Sequence, residues 1–240
     1  MQISETDFAK TYLANNSFKL GCVVDTNVIF AASYPTDQYN EWAEKIFDEL
    51  IRFNIPCFTN INVRSEFLDL SRRVLIPEGL LDFYSHYKSQ LTGELEAKLK
   101  SLQTRMDKAT DRAFKLNDLE IKQWRTLLDT FHHSSGKPGW DVFCDNYLEP
   151  YFKNIWEDAV QTLNVKSLGN TAFQDKKYFL NDPTWDQTND IIGKTGIGST
   201  DAMIVNFFLC SKFELLISTD YDIPRVFQQL GVTDRFLLTP

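Results

Sequence analysis

The chain has 240 residues, of which 43% are hydrophobic and 24% charged, an ordinary globular balance with length for one enlarged domain or two. A formal net charge of −8 and an isoelectric point near 5.0 exclude adhesion to nucleic acid through a generally basic surface, although an acidic chain can process nucleic acid where bound cations cancel the local charge. No apolar run approaches the roughly 18 residues of a membrane span and the polar N-terminus lacks signal-peptide form, so a cytoplasmic protein with no membrane partner is expected.

In chain order, residues 1–19 read as a short polar helix with a small stripe of Phe8, Tyr12 and Leu13, broken at Asn15-Asn16-Ser17. Leu20, Cys22, Val23 and Val24 read as a fully buried strand, with Asp25 at its carboxyl end. Helical spacing follows over 39–53 through Trp42, Ile46 and Leu50. Ile55-Pro56-Cys57-Phe58 is a second short strand, and Thr59 or Asn60 can cap the next helix. On that helix Glu66 lies beside the buried stripe of Val63, Phe67 and Leu70, and a carboxylate there needs a partner. A crossover helix keeps its early turns near the carboxyl edge of the sheet, where Asp25 already stands.

From Pro77 to about Phe131 the pattern is helical throughout, with mixed charges that include Glu94, Lys98, Arg105 and Arg112 and read as a solvated face. Leu91, Leu95, Leu99, Leu102 and Met106 form a stripe that requires something to pack on. Residues 132–139 are a loop, 140–163 are again helical, and 164–198 read as a polar, meandering connection. Ser199-Thr200-Asp201 opens an apolar helix over 202–210, and Leu215–Ser218 reads as a strand that runs out into Thr219, Asp220 and Asp222. A helix over Val226–Leu230 and a strand at Phe236-Leu237-Leu238 complete a βαβ-like ending.

Four acids therefore occupy equivalent places. Asp25 and Asp220 end strands, while Glu66 and Asp201 sit in early helical turns. Each has an ordinary explanation: acids favour first turns by ~0.3–1 kcal/mol, and Ser218, Thr219 and Asp222 are natural turn formers. Those explanations do not account for convergence on one sheet edge, the usual ligand edge of an open α/β sheet. Gathered carboxylates repel, and a hard divalent cation, Mg²⁺ or Mn²⁺, with oxygen-only ligands removes that repulsion.

Val23-Val24-Asp25-Thr26-Asn27, then Glu66, then Gly198-Ser-Thr-Asp201-Ala202 and Ser218-Thr-Asp220-Tyr-Asp222, resemble the four acidic motifs of the PIN-domain family, metal-dependent nucleases common among bacterial and archaeal toxins. The resemblance covers roughly residues 18–73 and 195–240. It implies an α/β fold, a PIN-like α/β/α sandwich with a central parallel sheet, as one domain over 1–240 with a mostly helical insertion over 74–194. It also implies a divalent-metal-dependent endoribonuclease that hydrolyses phosphodiester bonds of single-stranded or structured RNA, as a toxin with an antitoxin partner or as an RNA-processing enzyme. Asp25, Glu66, Asp201 and Asp220 would be catalytic and would hold one or two Mg²⁺ or Mn²⁺ ions that activate water, with Asp222 assisting. Thr26 and Asn27 would shape the loop and orient Asp25, with Ser218 and Thr219 also in support, Thr219 bonding a carboxylate or the phosphate. Two departures stand out: the separation of Glu66 from Asp201 is far longer than in small toxins of the family, and Ile223 stands where an aromatic residue often follows the last acid. The insertion's mixed charges would guide RNA, or its apolar stripe would bind an antitoxin or a second copy of the chain.

Other motifs carry less. Gly193-Lys194-Thr195 looks like the end of a P-loop, but position 188 is Thr and no apolar strand precedes it. His86, His132 and His133 lack the neighbours of a zinc site. Cys22, Cys57, Cys144 and Cys210 are far apart in apolar surroundings and read as buried free thiols. Two rival functions remain. A haloacid-dehalogenase-like phosphatase needs a second Asp two residues after Asp25, where Asn27 stands. A nucleic-acid- or partner-binding scaffold would keep the fold without efficient catalysis.

Overall fold

A computed structural model describes residues 1–13, 17–91, 93–109, 113–169 and 175–240. The expected helix break at Asn15 and Asn16, and the charge at Arg112, lie outside the described residues. The described strands are β1 (Gln2–Ile3), β2 (Cys22–Val24), β3 (Cys57–Thr59), β4 (Val165–Ser167), β5 (Leu215–Ile217) and β6 (Phe236–Leu238). They form one six-stranded sheet in the order β1-β6-β5-β2-β3-β4, and every pairing is parallel, so the fold is α/β with a parallel sheet. From β2 the chain builds outward through β3 and β4, then returns to place β5 on the other side of β2. That reversal is a topological switch point between β2 and β5, whose carboxyl ends are where open α/β sheets place their ligands.

The central strands are continuous apolar triplets because both faces are covered: β2 and β5 are buried at every position. Leu20 departs from the expected strand and is exposed. Gly21 breaks the chain there with φ +123°, and a Cβ at Gly21 would lie 2.5 Å from the Pro56 carbonyl and 2.6 Å from the Phe58 ring. Two strands are added to those read from sequence. β1 has two residues and exists by pairing with β6, and β4 falls within the stretch read as a meandering connection.

The chain divides into two compact units. The first is Met1–Pro35, Tyr39–Phe67 and Asp158–Pro240; the second is Thr36–Gln38 and Leu68–Glu157. The helical segment is therefore shorter than the expected 74–194, since residues 158–194 supply β4 and the Trp185–Thr195 helix to the sheet-bearing unit. In the second unit the Leu stripe is covered by the chain itself: Leu91, Leu95, Leu99 and Leu102 are buried in one core with Phe83, Ile121, Trp124 and Phe143. Four of the five side chains of the stripe are thus enclosed, and Met106 is partly buried against them.

Pro77 does not begin a new element. It lies inside the Ile61–Tyr87 helix, whose residues from Leu68 onward belong to the second unit. Proline has no N–H to give the carbonyl four residues back, that of Arg73, and the Leu116 N–H donates to it instead at 3.0 Å. Gly193-Lys194-Thr195 ends the Trp185–Thr195 helix, with left-handed Gly196 as its cap, whereas a phosphate loop must precede a helix.

Gly21→Ala should lower unfolding stability by ~2 kcal/mol or more in urea titrations, because the added methyl meets backbone and cannot rotate away.

Candidate active site

Parallel register brings the first and last acidic stretches together. Val24 pairs with Ile217, the Asp25 N–H donates to the Ile217 carbonyl at 3.0 Å, and so Asp25 and Ser218 leave the sheet side by side. The Ser218 hydroxyl donates to Asp25 Oδ2 at 2.7 Å. Asp25 is also the N-cap of the Thr26–Ser33 helix, with extended φ −78° and ψ 158°, and its Oδ1 accepts the Thr26 N–H at 2.7 Å. The carboxylate is held from both sides and is 1% exposed.

The other acids are tied to this pair. The buried Thr26 hydroxyl donates to Glu66 Oε2 at 2.5 Å, so the partner that Glu66 needs beside its apolar stripe comes from the end of β2. Asn60, not Thr59, caps the Glu66 helix: its Oδ1 accepts from Asn62 N–H at 2.9 Å and Val63 N–H at 3.2 Å, while the Thr59 hydroxyl donates to the Val24 carbonyl. Ser218 Oγ accepts the Asp220 N–H at 3.0 Å, and Asp220 Oδ1 accepts the Asp222 N–H at 2.8 Å, which opens the Asp222–Gln229 helix. This helix starts earlier than the expected Val226, and Ile223 in its first turn is fully buried. Asp201 is half-buried in the first turn of the Ser199–Cys210 helix. Gly198 caps that helix without a side chain, and a Cβ there would stand 2.9 Å from Asp201 Oδ2.

Electrostatics place the acids in one field. Burial pushes the Asp25 carboxyl up to about 7; the Ser218 hydroxyl opposes this, Glu66 and Asp201 add to it, and the Thr26 N–H opposes it. Burial likewise pushes Asp201 up to about 6, reinforced by Asp220, then Glu66, then Asp222, against its own backbone N–H. Among the described residues no lysine or arginine is one of the groups that set either charge state.

The structure thus sets Asp25 within electrostatic reach of Glu66 and Asp201, and Asp201 within reach of Glu66, Asp220 and Asp222, with Thr26 and Ser218 as the bonded links. Asn27 is half-buried and Thr219 buried, and among the described residues neither bonds a site carboxylate; orientation of Asp25 comes from Ser218 and the Thr26 backbone. Among the described residues no three His, Cys, Asp or Glu side chains are arranged as a ready set of ligands for one metal ion. The donor chemistry still suits a hard ion. Every donor is oxygen, and each Asp25 oxygen, although it accepts one bond, keeps a further lone pair.

Sequence reasoning missed Gly198 as the residue that makes room for Asp201, and the reach of the Thr26 hydroxyl to Glu66. The first has no sequence signal beyond a glycine at a cap position, and the second depends on two elements 40 residues apart. The chain matches no protein-family model, no curated protein and no solved structure.

Because the folded pKa of Asp25 is raised, the folded state keeps a proton that the unfolded chain loses between about pH 4 and about pH 7. The stability this contributes is complete at acidic pH and is lost as pH rises through about 7. Chelator-treated protein should therefore melt at a lower temperature in mildly alkaline than in mildly acidic buffer. Asp25→Asn should flatten that slope and be ~1–3 kcal/mol more stable than the wild type on the alkaline side, read by thermal or urea unfolding.

Proposed function

We propose that the chain is a divalent-metal-dependent endoribonuclease built on a PIN-like α/β/α sandwich, cytoplasmic, and acting either as a toxin or in RNA processing. The observation that carries this reading is the set of repelling carboxylates at the switch point, two of which, Asp25 and Asp201, have raised pKa values through burial first and neighbouring acids second. Four motifs in the order of the PIN family supply the set, and the reading adds a cation that the protein itself does not provide there.

In this reading Asp25, Glu66, Asp201 and Asp220 hold Mg²⁺ or Mn²⁺, and exposed Asp222 lends charge from the edge. When bound, such an ion stabilises the charge that develops on a phosphate and makes water a better nucleophile near neutral pH. The chain's own groups do the positioning. Ser218 and the Thr26 N–H fix both oxygens of Asp25, and the Thr26 hydroxyl fixes Glu66. Gly198 leaves room for the Asp201 carboxylate. The Asp220 carboxylate is restrained by the turn into the last helix.

A second reading, a nucleic-acid- or partner-binding protein without efficient catalysis, is favoured by one observation: among the described residues the carboxylates do not stand as a closed three-ligand group. Cleavage of a structured and an unstructured RNA with Mn²⁺ or Mg²⁺ separates the two. Asp25→Asn and Asp201→Asn should each reduce cleavage by about 10²-fold or more, and a chelator should abolish it. Cleavage that survives both substitutions unchanged would come from a contaminant and would end the nuclease reading. Tight RNA binding by wild type without cutting under any divalent ion would select the binding protein.

A further inference from the structure

The carboxyl edge of the sheet continues past the acids. Phe58 pairs with Val23, so Asn60, two residues on, is level with Asp25 on the adjoining strand position, ~4.8 Å away. Thr59 pairs with Ser167, and the Leu168 N–H donates to the Thr59 carbonyl at 2.8 Å, which sets Leu168 next in line. A cavity of about 260 Å³ opens at this end of the edge, lined among others by Asn60, Asn62, Trp185, Thr188, Asn206 and Phe207. Asn62 and Glu66 lie one turn apart on the same face of one helix, ~6 Å along its axis, so the cavity and the acid cluster adjoin.

The lining has the character of a site for a flat, polar-edged ring. Trp185 is 63% exposed although it is one of the largest apolar side chains in the chain. The helix it begins does not depend on the indole: Thr184 and Gln187 make the capping box. Phe207 supplies a buried apolar wall. Asn206 is committed, its amide donating to the Thr184 carbonyl at 2.9 Å and to Thr188 Oγ1 at 3.0 Å. Among the described residues Asn60 is committed through Oδ1, so its amide N–H groups are the donors it offers to a ligand.

We propose that this cavity is a subsite for one unpaired nucleobase of the substrate, with Trp185 as the stacking platform and Asn60 as an edge donor. The inference rests on the nuclease reading and adds to it the place on this chain where one unpaired base of the RNA is held. A nucleotide is the ligand that uses both halves of the edge, the ring in the apolar cavity and the phosphate at the carboxylates and their cation. A base held in a duplex presents no free face to Trp185 and is excluded. Aromatic platforms read single strands in this way, each stacked base contributing ~1–3 kcal/mol.

The test uses full-length protein carrying Asp25→Asn to suppress cutting, in Mg²⁺, with fluorescein-labelled oligoadenylate as a single strand and the same strand annealed to its complement. The expected result is a single-strand Kd that weakens about tenfold with Trp185→Ala, recovers with Trp185→Phe, and a duplex that binds weakly in every variant. Unchanged thermal melting of Trp185→Ala distinguishes lost stacking from misfolding. Equal single-strand affinity for Trp185→Ala and its parent overturns the subsite, and so does a duplex bound as tightly as the single strand. Failure of the nuclease reading has a separate signature: wild-type protein that binds the single strand through Trp185 and cuts it under no divalent ion.

Discussion

A carboxylate withdrawn from water at the end of β2 is the constraint around which the sheet-bearing unit is arranged. Asp25 accepts from the backbone of its own helix and from the hydroxyl of Ser218 on the neighbouring strand, so one side chain fastens β2, β5 and the first helix at a single point. Those two donors favour the charged form, but burial and the neighbouring acids outweigh them, and the balance pushes the carboxyl up to about 7. A buried acid in that condition is ill suited to being merely structural, because an apolar or amide group of the same size would cap the helix without the electrostatic cost. Strained electrostatics of this kind are concentrated where proteins act on ligands.

The acidic balance of the chain takes on meaning beside that site. A net charge of −8 opposes the approach of a polyanion, and the carboxylate cluster sharpens the opposition at the place where chemistry is proposed. The proposed divalent ion would resolve both difficulties at once, lowering the repulsion among the acids and giving a phosphate something to approach. The adjoining cavity, apolar on its walls and uncharged in its lining, then offers attraction that does not depend on net charge. The helical unit is self-sufficient in a different way. Its leucines close on Phe83, Trp124 and Phe143, and the hydrogen bond lost at Pro77 is replaced by one from Leu116.

Much of the scaffold could be read in advance where local pattern and burial agree. Cys22–Val24 and Leu215–Ile217 are apolar runs too short for helices, and both are buried strands, the first followed directly by Asp25 and the second by Ser218, Thr219 and Asp220. Asn60 announced a helix start and caps one. The failures have a common origin. β1 is two residues long and β4 reads Val-Lys-Ser, so neither carries a pattern of its own; each is a strand because a partner 235 or 108 residues away offers a free edge, as Gln2 with Leu237 and Cys57 with Val165 show. Leu20 looked like strand because apolar residues are counted without knowing that Gly21 turns the backbone before the sheet begins.

The sequence by itself determined which residues could carry the chemistry, since an acid at the end of a buried apolar run or in a first helical turn is visible from spacing alone. It also determined that Glu66 would need a partner, because its neighbours at helical spacing are apolar. Only the tertiary structure decided who that partner is, that Ser218 rather than Asn27 steadies Asp25, and that Gly198 makes room for Asp201. These are contacts between side chains from separate elements, set by strand order and register, and a one-residue change of register would turn each of them toward a different neighbour.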